Sequence, residues 1–288
     1  MAGLFDLSGK VAMVVGVGGI GCAQALGFAD CGANVVLADL NLEHLETVAD
    51  EIRAKGNQAL PVTVNVTQEQ SVTDMVKKTL EVFPRIDILV NTAGINIRRP
   101  AHRGFSLLDV VKKPFRVFRR TDINATGTGA SQPASAISLF DEWQQVMDVN
   151  TRGTFLCCQA VGQVMIKQQS GKIINLSSVR GRYATLGGGG VYCISKGAVD
   201  TLTRTLACEW AKYNVLVNAI APTVVETDFT RTILANRRGA NALKASIPLG
   251  RWAIPADIVG PTLFFASKAS DFVTGQVLYI DGGLTSWT

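Results

Sequence analysis

The nineteen residues from Val11 to Ala29 carry no charge, and this stretch constrains the fold more than any other in the chain. An apolar run of that length nominally spans a bilayer. This one, however, holds Gln24 and five glycines, and it is β-branched in its front half and helix-patterned behind. It therefore reads as a buried strand, a glycine turn and a helix. The same alternation continues along the chain. Strand-like runs recur at 34–38, 60–64, 86–90, 172–176, 215–220 and 276–280, and amphipathic stretches lie at 42–55, 70–83, 143–168, 193–213 and 255–267. Apolar strands separated by helices predict an α/β chain with a doubly wound, parallel, seven-stranded sheet. At 288 residues one domain over 1–288 is expected rather than two.

One segment breaks the rhythm. The stretch between Asn91 and Asn150 is far longer than a strand-to-helix connection needs, and we assign 102–138 as an insertion after strand four. From Leu107 to Phe118 its apolar side chains fall on one half of a helical wheel, and Lys112, Lys113, Arg116, Arg119 and Arg120 fall on the other, with Pro114 interrupting. Residues 121–138 are rich in Gly, Ala, Ser and Thr and read as a linker. The net charge of +5 is concentrated here: residues 98–120 hold eight basic groups against Asp109, or +7, which leaves −2 for the rest. A general nucleic-acid binder spreads its basic residues along a whole face, so that class is excluded. A basic amphipathic segment also suits a membrane surface, but its shortness and Pro114 favour a lid, an oligomer contact or a plain surface loop.

Apolar residues make up 47% of the chain and charged ones 18%, which excludes a disordered or fibrous protein. No positively charged region precedes an apolar one at the N-terminus, so a cytoplasmic location is expected. The six cysteines show no ligand spacing and only His44 and His102 supply imidazoles, so reduced thiols and no metal are expected.

Two constellations carry chemistry. Gly16, Val17, Gly18, Gly19, Ile20 and Gly21 follow the first strand, where glycines permit a tight turn and close approach of a pyrophosphate to a helix N-terminus. Asp39, at the end of strand two, either accepts hydrogen bonds from an adenosine ribose or caps the helix that begins near Leu42. Farther on, Tyr192 and Lys196 share a helix face at i, i+4 spacing, where an ammonium can lower the pKa of a phenol. Ser177 and Ser178 end strand 172–176 and bring hydroxyls to a carboxyl edge of the sheet.

With these residues in view, the chain resembles the short-chain dehydrogenase/reductase family, whose fold is a Rossmann domain. The matching pieces run in order: the glycine turn, Asn91-Thr92-Ala93-Gly94, Asp148-Val149-Asn150, Ser178, Tyr192 with Lys196, Asn218 to Pro222, and Asp281-Gly282-Gly283. The resemblance implies Tyr192 as general acid/base and Ser178 as the group that polarises a carbonyl. It implies that Lys196 holds the nicotinamide ribose and tunes Tyr192, and that Asn150 orders a water in the proton path. Cofactor-binding residues implied besides the glycine turn and Asp39 are Asn65, Val66, Asn91, Ala93, Gly94, Tyr192, Lys196, Pro222, Val225 and Thr227. A homotetramer is implied as well. Three departures stand out. Val15 replaces a Thr, and the turn is one residue shorter if Gly19 and Gly21 are aligned with the family's glycines; Asn65 stands where an Asp is common; and Thr223 replaces the Gly after Pro222.

Asp39 would repel a 2′-phosphate, and no Arg or Lys follows it within Leu40, Asn41 and Leu42, so NAD is expected over NADP. The stretches 95–100, 209–212 and 248–252 resemble the family branch containing gluconate 5-dehydrogenase and 2-deoxy-gluconate 3-dehydrogenase. The expected reaction interconverts a secondary alcohol and a ketone on a small-molecule sugar acid or polyol. Arg98 and Arg99 either pair with a substrate carboxylate or belong to the solvated basic insertion. The other functional readings are a 3-oxoacyl-carrier-protein reductase-like enzyme and a non-catalytic dinucleotide-binding protein.

Overall fold

The structure is a computed structural model and describes residues 2–97, 139–184, 189–235 and 237–286. The insertion 102–138, Arg98 and Arg99 lie outside the described residues. Seven strands form one sheet: β1 (Val11–Val15), β2 (Asn34–Asp39), β3 (Ala59–Thr63), β4 (Ile88–Asn91), β5 (Gly171–Leu176), β6 (Val215–Pro222) and β7 (Val277–Ile280). All are parallel, in the order β3-β2-β1-β4-β5-β6-β7. The expected boundaries hold to within two residues, and the doubly wound topology is the one expected.

β1 is buried along its whole length, and its side chains alternate between two cores. Met13, Leu89, Ile173 and Val217 face one core, closed by Val72 and Met75 of α3 (Glu69–Val82), Val161 and Met165 of α5 (Thr154–Gln168), and Leu206 of α6 (Gly190–Trp210). Val14, Leu37, Val90 and Ile174 face the other, covered by Phe28 of α1 (Gly19–Asp30), Leu45 and Ile52 of α2 (Leu42–Ala54), and Ile258 and Phe265 of α9 (Pro255–Ala266).

The stretch expected as one helix over 143–168 is divided. α4 (Leu139–Met147) passes through a π-helical segment, Asp148–Gly153, before α5 begins. Such wider turns concentrate at functional sites because they redirect side chains out of the helical register. Here the segment contains Asn150. Two short helices, α7 (Arg231–Ala235) and α8 (Arg237–Ala245), follow β6 where the sequence pattern showed none.

Strand order reverses on either side of β1, because α1 leads outward to β2 while β4 returns to the other flank. In open sheets of this kind a crevice opens beyond the carboxyl ends of the strands at that switch point.

Candidate active site

The crevice is there, with an empty volume of about 870 Å³, and it runs from the glycine turn past β4 and β5 to the segment after β6. Its lining includes Gly16, Gly18, Gly19, Ile20 and Asp39 at one end, and Ser178, Tyr192 and Lys196 toward the other. Ala93, Gly94, Pro222, Val225 and Thr227 also line it. Sequence reasoning missed Thr92, Leu176, Phe229 and Thr230, which line it too. The spacing of a strand end gave no signal for Leu176; Thr92 carried one, in that it sits between two residues that were named.

The glycine turn is shaped by contact. Gly16 has φ +93°, and a Cβ there would overlap the backbone nitrogen of Ala93. A Cβ on Gly21 would overlap the Gly16 carbonyl oxygen, so Gly21 lies beneath the turn and does not line the cleft. Gly18 has open space where a side chain would project, and it immediately precedes α1, whose first turn contains no acidic residue. A backbone cradle at a positively polarised helix end, with no acidic residue in the helix's first turn, fits the pyrophosphate of a dinucleotide.

Asp39 does not cap α2. Asn41 does, accepting from His44 N at 3.2 Å. The Asp39 carboxylate instead accepts from Val17 N through Oδ2 at 2.7 Å and from Leu40 N through Oδ1 at 2.6 Å, at the rim of the cleft. Each oxygen keeps a further lone pair for a ribose hydroxyl.

At the other end, the Ser178 hydroxyl donates to the Pro222 carbonyl at 3.5 Å and accepts from Arg180 N at 3.2 Å, and it lies near enough to the Tyr192 phenol to lower its pKa. Lys196 is 3% exposed. Its Nζ donates to the Leu176 carbonyl at 2.7 Å and sits 5.7 Å from the centre of the Tyr192 ring. Burial pushes Tyr192 up to about 12, against a smaller downward pull from the Ser178 hydrogen bond. Burial also pushes Lys196 down to about 8, opposed by the Asp200 carboxylate one turn along α6. Burial is the largest influence on the Tyr192 phenol, and the Lys196 ammonium, itself desolvated, directs one N–H at a backbone carbonyl.

Asn150 is fully buried and does not line the cleft. Its Oδ1 accepts from Ile95 N at 2.8 Å, and its Nδ2 donates to Ile95 O at 2.9 Å and to Ser195 Oγ at 3.0 Å. These bonds clamp the chain just past Gly94 to α6, and they occupy both amide hydrogens. Three other named residues also stand behind the cleft. Asn65 Oδ1 accepts from Thr67 N and Oγ1 within its own turn. Val66 packs where a Cβ on Gly153 would sit. Asn91 is buried and donates to Asn175 Oδ1 at 2.9 Å, tying β4 to β5. Thr223, one of the departures from the family pattern, also lines the cleft.

All six cysteines are free. Among the described residues no group of three or more metal-ligating side chains occurs, and no helix is long and apolar enough to cross a membrane.

A cradle for a pyrophosphate and a Ser/Tyr/Lys cluster on one crevice define a nucleotide-dependent oxidoreductase. Family comparison agrees: residues 10–109 match the short chain dehydrogenase model, and residues 106–285 match the model described as Enoyl-(Acyl carrier protein) reductase. The chain belongs to the short-chain dehydrogenase/reductase family, and it is related to the gluconate 5-dehydrogenase and 2-dehydro-3-deoxygluconate 5-dehydrogenase type within it. It is 34% identical over 283 residues to the NAD-dependent glycerol dehydrogenase of Listeria innocua, covering 98% of this chain and 96% of that one. It is 35% identical to the 2-dehydro-3-deoxy-D-gluconate 5-dehydrogenase of Dickeya dadantii, covering 97% and 96%. Among solved structures, a gluconate 5-dehydrogenase from Burkholderia cenocepacia in complex with NADP and tartrate superposes with a TM-score of 0.83 at 34% identity, over 100% and 99% of the two chains.

Proposed function

We propose that this oxidoreductase uses NAD to interconvert a secondary alcohol and a ketone on a sugar acid or polyol, with Tyr192 as general acid/base. The observation that carries this reading is the convergence of Ser178, Tyr192 and the buried Lys196 on the crevice that also holds the glycine cradle. The nicotinamide ring supplies the hydride acceptor or donor. In the oxidation direction Tyr192 Oη takes the alcohol proton, and in reduction it returns one to the carbonyl oxygen. Ser178 Oγ donates to that oxygen and holds it against the phenol. Lys196, anchored by Leu176 O, places a positive charge under the ring, which favours the phenolate while it carries the proton vacancy. Asn150 acts from behind by fixing the Ile95 backbone, and with it the wall at Gly94.

NAD is the proposed cofactor because the Asp39 carboxylate, fixed in place by two backbone N–H groups, stands at the adenosine end, where a 2′-phosphate would meet like charge. The NAD-dependent relative supports this choice; the NADP-bound relative is the reason to test it. The sugar-acid assignment rests on the relatives, with Arg98 and Arg99 proposed to pair with the carboxylate. A homotetramer remains the family-based proposal, to be checked by light scattering.

The test is steady-state kinetics with NAD and NADP on gluconate-type acids, matched neutral polyols and 3-oxoacyl thioesters, with Arg98→Ala and Arg99→Ala alongside. Oxidation of acids with NAD, weakened in the arginine variants, is expected. Equal kcat/KM for both cofactors would overturn the role of Asp39. Turnover confined to thioesters would make the acyl-carrier reading correct, and binding of dinucleotide without turnover of any substrate would make the protein a non-catalytic binder.

A further inference from the structure

The glycine turn is held by a residue that none of the expected roles includes. His44, in the first turn of α2, places Nε2 2.8 Å from the Val17 carbonyl oxygen. A carbonyl oxygen only accepts, so Nε2 carries the proton and donates. The neighbouring peptide is held from the other side, since Val17 N donates to Asp39 Oδ2 at 2.7 Å. Val17 itself is fully buried. Two successive peptides of the turn are thus each fixed by a side chain, one from the end of β2 and one from the first turn of α2.

The consequence follows from peptide planarity. No peptide bond in the chain is cis, and in a trans peptide the N–H and C=O point in opposite directions. Asp39 draws the N–H of the Gly16–Val17 peptide toward itself, so the Gly16 carbonyl is turned the other way, toward Gly21. That is the contact which admits no side chain at Gly21. His44 draws the C=O of the Val17–Gly18 peptide toward α2, so the Gly18 N–H is turned away from α2. Gly18 lines the cleft, has open space around it and adjoins the N-terminus of α1.

We propose that His44 is a positioning residue for the dinucleotide: by holding the Val17 carbonyl it aims the Gly18 N–H at the cofactor's phosphates. This inference rests on the cleft binding NAD as proposed above. His44 touches neither substrate nor the reacting atoms, so its effect belongs in cofactor affinity and not in the chemical step.

His44 is exposed, and its own backbone N–H, not its side chain, takes part in the α2 cap. Substitutions there leave the fold intact, which thermal unfolding would check. His44→Phe keeps a ring and removes the donor; His44→Gln keeps a donor at similar reach without the ring. The measurements are Kd for ADP and for NAD by calorimetry, and KM and kcat with NAD. In His44→Phe we expect both Kd values and the KM to rise about three- to tenfold, the worth of one hydrogen bond, with kcat within about twofold. In His44→Gln all four stay within about twofold of the parent. Unchanged Kd values in His44→Phe, equal losses in both variants, or a loss confined to kcat would each overturn the proposal. If the unmutated protein binds neither ADP nor NAD, the reading of the cleft fails and this inference with it; if it binds both and His44→Phe binds equally well, this inference alone fails.

Discussion

Replacing Lys196 with methionine should abolish turnover and yet stabilise the protein near neutral pH relative to what a lost hydrogen bond would suggest. Lys196 is 3% exposed and its pKa is pushed down from 10.5 to about 8, mainly by burial. At roughly 1.36 kcal/mol per pH unit, keeping this ammonium charged costs the folded state about 3 kcal/mol below pH 8. The sign is set by proton counting. Between about pH 8 and pH 10.5 the unfolded chain binds the proton and the folded one does not, so stability rises with pH and the cost vanishes above that window. Methionine has a similar shape and no charge, and so removes the titrating cost altogether. Against this gain stand the Leu176 carbonyl, which loses its donor at 2.7 Å, and Asp200, which loses a neighbouring positive charge. Those losses offset about 1–3 kcal/mol, so the net change near pH 7.5 is small. The decisive quantity is the pH dependence: the stability of Lys196→Met relative to the parent should fall by about 2 kcal/mol between about pH 7.5 and pH 10. Urea unfolding of both proteins at the two pH values measures it. A difference that stays constant across that window would refute the claim that burial, and not a compensating charge, governs Lys196.

The remaining predictions concern the phenol, the glycine turn and the thiols. Tyr192→Phe should lower kcat by about 10²-fold or more while calorimetry shows that NAD still binds; unaltered kcat would remove Tyr192 from the mechanism. Gly21→Ala should destabilise the protein by roughly 1–3 kcal/mol and weaken NAD binding, because its Cβ overlaps the Gly16 carbonyl and that atom is backbone; a Tm equal to the parent's would show that the turn relaxes freely. Native alkylation with iodoacetamide, read by mass spectrometry, should modify exposed Cys208 and spare Cys158, whose thiol burial pushes up to about 12. Labelling of both at equal rates would mean that the core under α5 opens.

The sheet was legible in the sequence because its strands are buried on both faces, so apolar runs such as Val11 to Val15 stand out without any need for alternation. The helix expected over 143–168 was legible as apolar but not as divided, since a π-helical segment keeps nearly the same composition while shifting the register by one residue. At the site, residues whose chemistry is carried by the side chain, Ser178, Tyr192 and Lys196, were found by type and spacing. Residues whose side chains act on backbone groups were only partly legible. Asn150 was named for ordering a water in the proton path, and its spacing gave no sign that its amide also holds Ile95 and Ser195. Asp39 left two roles open because a carboxylate after a strand suits both; only the position of Asn41 at the α2 cap separates them.

The same distinction explains why His44 gave no signal. A lone imidazole five residues after an acidic strand end matches no spacing rule, and its partner is a peptide carbonyl that every residue possesses. What makes the contact consequential is that the Val17 carbonyl belongs to the same peptide as the Gly18 N–H, and Gly18 lines the cleft. Such a link is visible only in three dimensions. Inserting one residue after Val17 tests it: with the Gly18 peptide displaced from His44, NAD binding in that variant should no longer respond to His44→Phe, and a response of the same size as in the parent would show that the imidazole acts by another route.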